Sequence, residues 1–369
     1  MINFQLDEEQ SMLTTAIRRF AQERVRKVFR DADEEGSIPA DVIAAGWELG
    51  LLPTSIPEAY GGFGEHSAVT AAVAVEEFAW GDLAAALTIL SPNLLAVPVL
   101  LAGSEAQKAA YLPRFCEQTM PRVTAALTEP RVQFDVRRLQ TTAVRQGDEY
   151  VLNGVKCMVP LAADAELILV YAQEAGQNQA FLVAADTPGL VVGAPEKLMG
   201  IKSLPTYGLT LTDVRVPAAA GGAVSARLGE DAGINFDLIL NHSRVTLGAA
   251  AVGLARAAYE YAVEYAKTRQ QFGEPIAHRQ SIAFMLAEMA IDIDAARLLV
   301  WEAAWKLDRG ESVTRDVTVM KYYVDNMVLR VADQALQALG GYGYIREYPV
   351  ELWLRNARGF ASFDGLAIA

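Results

Sequence analysis

The apolar positions of this chain change period twice. Leu6, Leu13, Ile17 and Phe20 recur at near-helical intervals with charged residues between them, the pattern of an amphipathic helix. Pro39 opens a second helix in the region from Asp41 to Gly50, and Gly61-Gly62-Phe63-Gly64 then breaks the pattern. Two further helices are predicted over roughly 67–80 and 83–102, where Ala71, Ala72, Ala74, Ala84, Ala85 and Ala86 permit close helix packing. From about residue 122 the period shortens. Thr141 to Arg145, Tyr150 to Asn153, Leu167 to Gln173 and Leu209 to Val216 are predicted strands. Leu209, Leu211 and Val214 alternate with one slip, and Gln146-Gly147-Asp148 reads as a hairpin loop. From about residue 228 the helical period returns. No proline falls between Phe236 and Gln271, which predicts a helix roughly 50 Å long. Helices over roughly 279–308 and 313–339 follow, and Gly340 ends the last. Long helices carrying Ala and Leu on one face, joined by short loops, predict a four-helix-bundle-like unit. The expected fold class is α+β: an N-terminal α-helical domain over 1–121, a middle β-sheet domain over 122–227 and a C-terminal four-helix bundle over 228–369.

Composition agrees with two or three packed units. A chain of 369 residues, 52% hydrophobic and 21% charged, is globular and too long for one simple core. The net charge of −13, spread without an acidic tail, argues against nucleic acid and anionic membrane as partners, because both need clustered Lys and Arg. Cys116 and Cys157 lie far apart in apolar surroundings and read as buried thiols of a reduced compartment. The opening Met1-Ile2-Asn3-Phe4-Gln5-Leu6-Asp7 has no basic or apolar targeting pattern. The apolar run from Leu94 to Ala102 is shorter than the roughly 20 residues a membrane span needs. A soluble, cytoplasmic protein is expected.

Several chemistries find no support. His66, His242 and His278 have no carboxylate or Cys at convincing ligand spacing, so no metal site is expected. No Gly-x-Gly-x-x-Gly follows a predicted strand. A dinucleotide can be held without that fingerprint. Arg269 can offer a bidentate fork to a phosphate, Gln271 can hydrogen-bond and Phe272 can stack. Gly340 and Gly341 let backbone approach a bulky ligand, with Gln337 one helical turn before them. Taken singly, each residue has a plainer reading: Arg269 as a cation at a helix C-terminus, Gly340 as a C-cap.

Together the motifs are more specific. Arg269-x-x-Phe272-Gly273-x-Pro275-Ile276-x-x-x-Gln280 precedes Gln337-Ala338-Leu339-Gly340-Gly341-Tyr342-Gly343, and Phe363-Asp364-Gly365 follows. In order and spacing they resemble the C-terminal half of the acyl-CoA dehydrogenase family. The resemblance extends over the chain through Trp47-Glu48-Leu49-Gly50, Pro57-Glu58-Ala59-Tyr60-Gly61-Gly62, Glu76-Glu77-Phe78-Ala79, Leu127-Thr128-Glu129-Pro130 and Val214-Arg215-Val216-Pro217. It implies an α, β, α architecture and FAD as cofactor, with Thr128 among its contacts. It implies that Arg269, Gln271, Phe272, Gln337, Gly340 and Gly341 reach across a subunit interface to a neighbour's FAD. It also implies α,β-desaturation of an acyl-CoA substrate and reoxidation by an acceptor like the electron-transfer flavoprotein. Asp364 takes the place of the base that removes the α-proton. Arg244 aligns with an arginine near the acyl-CoA site, although a helix-face ion pair is an equal reading. Leu90 lies where the family lines its acyl pocket.

The departures from the family cluster. Arg131-Val132-Gln133-Phe134-Asp135 stands where it usually has Gly-Ala-Gly-Ser-Asp, so Phe134 replaces a serine that contacts the substrate. Met158 replaces a tryptophan that packs on the flavin, and Pro160 a threonine that bonds flavin N5. Leu366 and Ile368 replace a Thr and a Gln that contact FAD, and Asp364 is one methylene shorter than the usual glutamate. Residues resembling those donated to a neighbour are kept, and those of the chain's own site are mostly replaced. One expectation is a subunit that completes the FAD site of a related chain in a mixed oligomer, as in the family's heterotetramers that act on steroid side-chain thioesters. The rivals are a self-sufficient homotetramer using Asp364 as base and a non-redox thioester-binding or structural subunit.

Overall fold

The computed structural model describes residues 5–218 and 224–369; the opening residues Met1 to Phe4 lie outside it. The N-terminal helices are α1 (Glu8–Phe20), α2 (Arg26–Glu35), α3 (Ala40–Trp47), α4 (Ala68–Gly81), α5 (Leu83–Ile89), α6 (Asn93–Ala102) and α7 (Glu105–Tyr111). Asp7 and Gln10 form a capping box that starts α1, and a π-helical turn over Ala21–Val25 links it to α2. The single helix expected over 83–102 is two helices, bent by 52°. Ser91-Pro92 causes the break, because proline cannot donate to the preceding turn.

Seven strands follow: β1 (Val123–Ala126), β2 (Thr142–Gln146), β3 (Glu149–Pro160), β4 (Leu167–Glu174), β5 (Gln177–Ala184), β6 (Leu190–Pro195) and β7 (Thr206–Pro217). They form one sheet in the order β1-β4-β2-β3-β7-β6, with β5 paired to β4. The slip in the β7 alternation is a bulge. Leu152 faces Val214 but Gly154 faces Leu211, and Asp213 takes φ +50° with its N–H donating to the Asn153 side chain at 2.8 Å. Strands β1, β5 and β6 were not anticipated. β1 and β5 are nearly all buried and so lack a polar alternation to read.

The C-terminal unit is built on α8 (Phe236–Thr268), capped by Asn235 and buried along most of its length. It stops at Thr268, short of the expected end. A two-strand hairpin, β8 (Gln270–Gln271) with β9 (Glu274–Pro275), turns the chain into α9 (Gln280–Asp308), α10 (Thr314–Leu339) and α11 (Val350–Ala357). Helix α8 is long and apolar enough to cross a membrane, but 89% of that stretch is buried inside the protein. It packs on α9, α10 and α4, and its apolar residues share one core with the N-terminal helices. At Gly253 it crosses α4 so closely that a Cβ would stand 2.2 Å from the Glu76 carbonyl oxygen. A second core joins α6, β1, β4, β5 and the start of α8. Gln107 ties these parts together: its amide donates to the carbonyls of Ser225 and Arg227, and its oxygen accepts from Gly229 N–H.

Candidate functional site

The six residues expected to reach a neighbour's dinucleotide come together. Arg269, Gln271, Phe272, Gln337, Gly340 and Gly341 line one open cleft of about 800 Å³, where the end of α8, the β8–β9 hairpin and the end of α10 converge. Local structure explains each position. Arg269 closes α8, its N–H donating to the Tyr265 carbonyl at 2.8 Å. Phe272 and Gly273 form the hairpin turn at φ +54° and +87°. The left-handed region is unfavourable for a bulky side chain, and here it leaves Phe272 92% exposed at the cleft. Gly340 ends α10 at φ +58°, and a Cβ on Gly340 or Gly341 would meet nothing within 4 Å. The side chain that glycine lacks would fill the space a ligand needs.

The charges of the cleft divide. Arg279 is paired with Glu274 at 3.1 Å and lies over the Phe272 ring at 5.7 Å. Arg269 stacks on Tyr342 at 5.0 Å and, among the described residues, has no carboxylate partner. A guanidinium facing an 800 Å³ cleft without a counter-ion fits the pyrophosphate of a dinucleotide. Exposed backbone at two glycines and an exposed aromatic ring fit its flat parts.

The second set of residues is arranged differently. Asp364 accepts from two nitrogens along one edge of a guanidinium, Arg244 Nε at 3.1 Å and Nη2 at 2.7 Å. Thr128 Oγ1 donates to the Asp364 carbonyl at 2.9 Å. Burial pulls the Arg244 pKa down, but the bond to Asp364 outweighs it and the net shift is upward. Beside them Lys321 donates to Asp325 at 2.6 Å; burial nonetheless holds the Asp325 carboxyl above its ordinary range. The residues after Asp364 turn inward. Leu366 and Ile368 are buried in two different cores. Ser243 Oγ donates to the Ala367 carbonyl at 2.7 Å, and Ala369 N–H donates to Thr246 Oγ1 at 3.0 Å.

Beneath this segment only 20 Å³ remains, between Leu94, Tyr171, Phe236, Leu240, Ser243 and Ile368. Leu94 borders it, and Leu90 is buried in the larger helical core. That space holds about one water. Phe134 packs against the second core, which lines this space, under the Arg131 guanidinium at 5.6 Å. Arg137 pairs with Asp237 at 3.0 Å and fastens the loop to the start of α8.

Met158 has φ +53°, and its N–H donates to the Glu196 carboxylate at 3.1 Å. With Phe363, Leu198, Met199 and Arg358 it borders a pocket of about 280 Å³. The Pro160 carbonyl accepts from Thr124 Oγ1 at 2.7 Å. Sequence reasoning missed the ion pair below this strand. Lys156, fully buried, donates to Glu129 at 3.1 Å and to the Leu127 carbonyl at 3.0 Å. Burial pushes its ammonium down to about 8. The signal was available, since Lys156 sits in an apolar strand and Glu129 in a Thr-Glu-Pro turn. The two cysteines are free and half-buried rather than buried; burial raises both thiols, Cys157 to about 11. Among the described residues no cluster of His, Cys, Asp or Glu could hold a metal.

An α, β, α chain with an open cleft at the end of its helical bundle, lined by Arg269, Phe272, Gly340 and Gly341, has the geometry of a dinucleotide-binding protein. Comparison with known proteins narrows the class. Family models match in chain order: the acyl-CoA dehydrogenase N-terminal domain over 7–119, middle domain over 124–214 and C-terminal domain over 236–367. A probable acyl-CoA dehydrogenase of Bacillus subtilis is 37% identical over 97% of this chain and 94% of its own length. The cyclohex-1-ene-1-carbonyl-CoA dehydrogenase of Syntrophus aciditrophicus is 35% identical over 96% of this chain and 86% of its own. The structure of butyryl-CoA dehydrogenase from Megasphaera elsdenii superposes with a TM-score of 0.89 at 33% identity, covering 99% of this chain and 96% of that one. The chain belongs to the acyl-CoA dehydrogenase family, flavin-dependent oxidoreductases acting on CH–CH bonds with FAD as cofactor.

Proposed function

We propose that this chain is the site-completing subunit of a mixed acyl-CoA dehydrogenase oligomer, lending its cleft to the FAD of a related chain. The contrast between the two sites carries the reading: an open 800 Å³ cleft on one side and 20 Å³ left on the other. FAD, when bound, would supply the acceptor for the hydride of the substrate β-carbon. The residues of this chain do other work. Arg269 holds the pyrophosphate, Gln271 and Gln337 supply hydrogen bonds, Phe272 covers a flat face, and Gly340 and Gly341 let the backbone come close. Phe284, Ile291 and Leu298 support a partner chain beside the cleft: they stand seven residues apart on α9 and are 62%, 67% and 47% exposed.

In its own acyl site Asp364 is engaged by Arg244 and Ile368 helps fill the space, so the α-proton of the substrate is taken in the partner. An electron-transfer flavoprotein-like protein would serve as the acceptor that takes the electrons onward. A cytoplasmic location accords with two free thiols. One observation favours a second reading. The 280 Å³ pocket at Met158 and Phe363, one residue before Asp364 in sequence, leaves room for a ligand in this chain's own site, as a self-sufficient homotetramer requires. Co-expression with related chains separates the two: on the first reading the chain is colourless alone and yellow in the mixed oligomer, and a yellow homomer that turns over acyl-CoA establishes the second.

A further inference from the structure

Among the described residues Arg269 has no carboxylate to orient it, yet a long flexible side chain must be held in place to bind phosphate well. What holds it is aromatic. Its guanidinium lies 5.0 Å above the centroid of Tyr342, and Tyr342 is itself braced. Its centroid is 6.5 Å from Tyr265 at 61° and 5.3 Å from Tyr348 at 55°. Tyr265 and Tyr348 meet edge to face at 6.1 Å. The three rings form a platform with ties to the main chain at both ends. Tyr265 lies one turn before Arg269 on α8 and accepts its N–H. The Tyr348 carbonyl accepts from Arg30 at 3.0 Å, which anchors the platform to α2. Tyr342 also borders the cleft and is 38% exposed.

We infer that Tyr342 is a positioning residue for the cofactor: its ring, buttressed by Tyr265 and Tyr348, turns the Arg269 guanidinium toward the cleft before the phosphate arrives. This rests on the reading of the cleft as an FAD site. Arg279 shows the alternative arrangement in the same cleft. Glu274 holds it at 3.1 Å, but the carboxylate also neutralises it, so it has little charge left for an anion. An aromatic ring orients a guanidinium without cancelling its charge. The tyrosine hydroxyl has no part in this, so a phenylalanine should serve as well.

The test is the FAD dissociation constant of the deflavinated oligomer, read by flavin fluorescence, for Tyr342→Phe, Tyr342→Leu, Tyr342→Met, Arg269→Ala and the Tyr342→Leu/Arg269→Ala pair. Tyr342→Phe should bind FAD as the parent does. Leu and Met, which keep bulk but lose the π face, should weaken binding about two- to fivefold, the size of an exposed cation–π contact. With Arg269 already Ala, Tyr342→Leu should change nothing further. A Leu effect that persists in full without Arg269, or a Phe variant as weak as Leu, overturns the inference and leaves the cleft reading standing. Arg269→Ala without effect on FAD overturns both.

Discussion

Both carboxylate oxygens of Asp364 face a single guanidinium, and that contact separates stability from catalysis at this position. Removing one partner of a charge-assisted pair leaves the other half-buried without its counter-ion. Asp364→Asn should therefore lower stability by about 1.5–3 kcal/mol, read in urea denaturation. Turnover of the assembled oligomer with a CoA thioester and an artificial acceptor should stay within a few-fold. A loss of about a hundredfold or more, the scale of a lost general base, with FAD content unchanged, would make Asp364 a working base. Arg269→Ala should instead weaken FAD retention on dialysis by about tenfold or more, the size of a charge-assisted contact to phosphate. Equal retention would contradict the phosphate role. That the cleft residues come together was legible in the sequence only through the resemblance of their motifs, in order and spacing, to the family's, which singled out Arg269, Phe272 and Gly340. The pairing of Arg244 with Asp364 was not, since 119 intervening residues separate them on different elements and Arg244 reads equally as a helix-face ion pair. Tyr342 was passed over as a link in a glycine motif, because a stacking partner depends on where α8 ends.

At the scale of elements, the junction of α8 with the loop before α4 carries a pair of histidines. His66 Nε2 and His242 Nδ1 stand 3.3 Å apart. Burial first, and the neighbouring His66 second, push His242 down to about 3; burial also lowers His66, with Asp308 opposing. The folded pKa lies below the unfolded one, so the unfolded chain takes up protons first as pH falls. This contribution to stability is complete above about 6.5 and is lost as pH drops toward the folded value. His242→Gln should flatten that loss: denaturation at pH 7.5, 6 and 5 should show the parent falling further than the variant. Equal slopes would mean the pair is not linked to folding. The crossing of α8 and α4 gives a second test. Gly253→Val places atoms where a Cβ alone would sit 2.2 Å from a carbonyl oxygen, and should destabilise by about 1–3 kcal/mol without changing the FAD affinity of the oligomer. A melting temperature equal to the parent's would show that the helices can move apart freely. The long helices α8, α9 and α10 were easily read from apolar periods without proline, whereas the short α2, α7 and α11 were not anticipated. Strands β1 and β5 were not, because burial on both faces removes the alternation, and the bend at Pro92 was hidden inside a continuous apolar run.

At the scale of the whole molecule, the order of helices, sheet and helices followed from two changes of hydrophobic period, and the family from motifs spread along the chain. How the two candidate sites differ was only half legible. Met158, Pro160, Leu366 and Ile368, standing where the family usually has Trp, Thr, Thr and Gln, marked the chain's own flavin contacts as altered from the resemblance. The packing of Ile368, in the turn after Asp364, with Leu94 and Phe236 was not legible, because no local pattern encodes it. The measurement that bears most directly on the account is the ratio of FAD to chain, by visible absorbance, for this chain purified alone and with a related acyl-CoA dehydrogenase chain. The account predicts a colourless chain alone and, in the mixed oligomer, half as many FAD molecules as chains. A yellow chain that carries one FAD per chain on its own would contradict it.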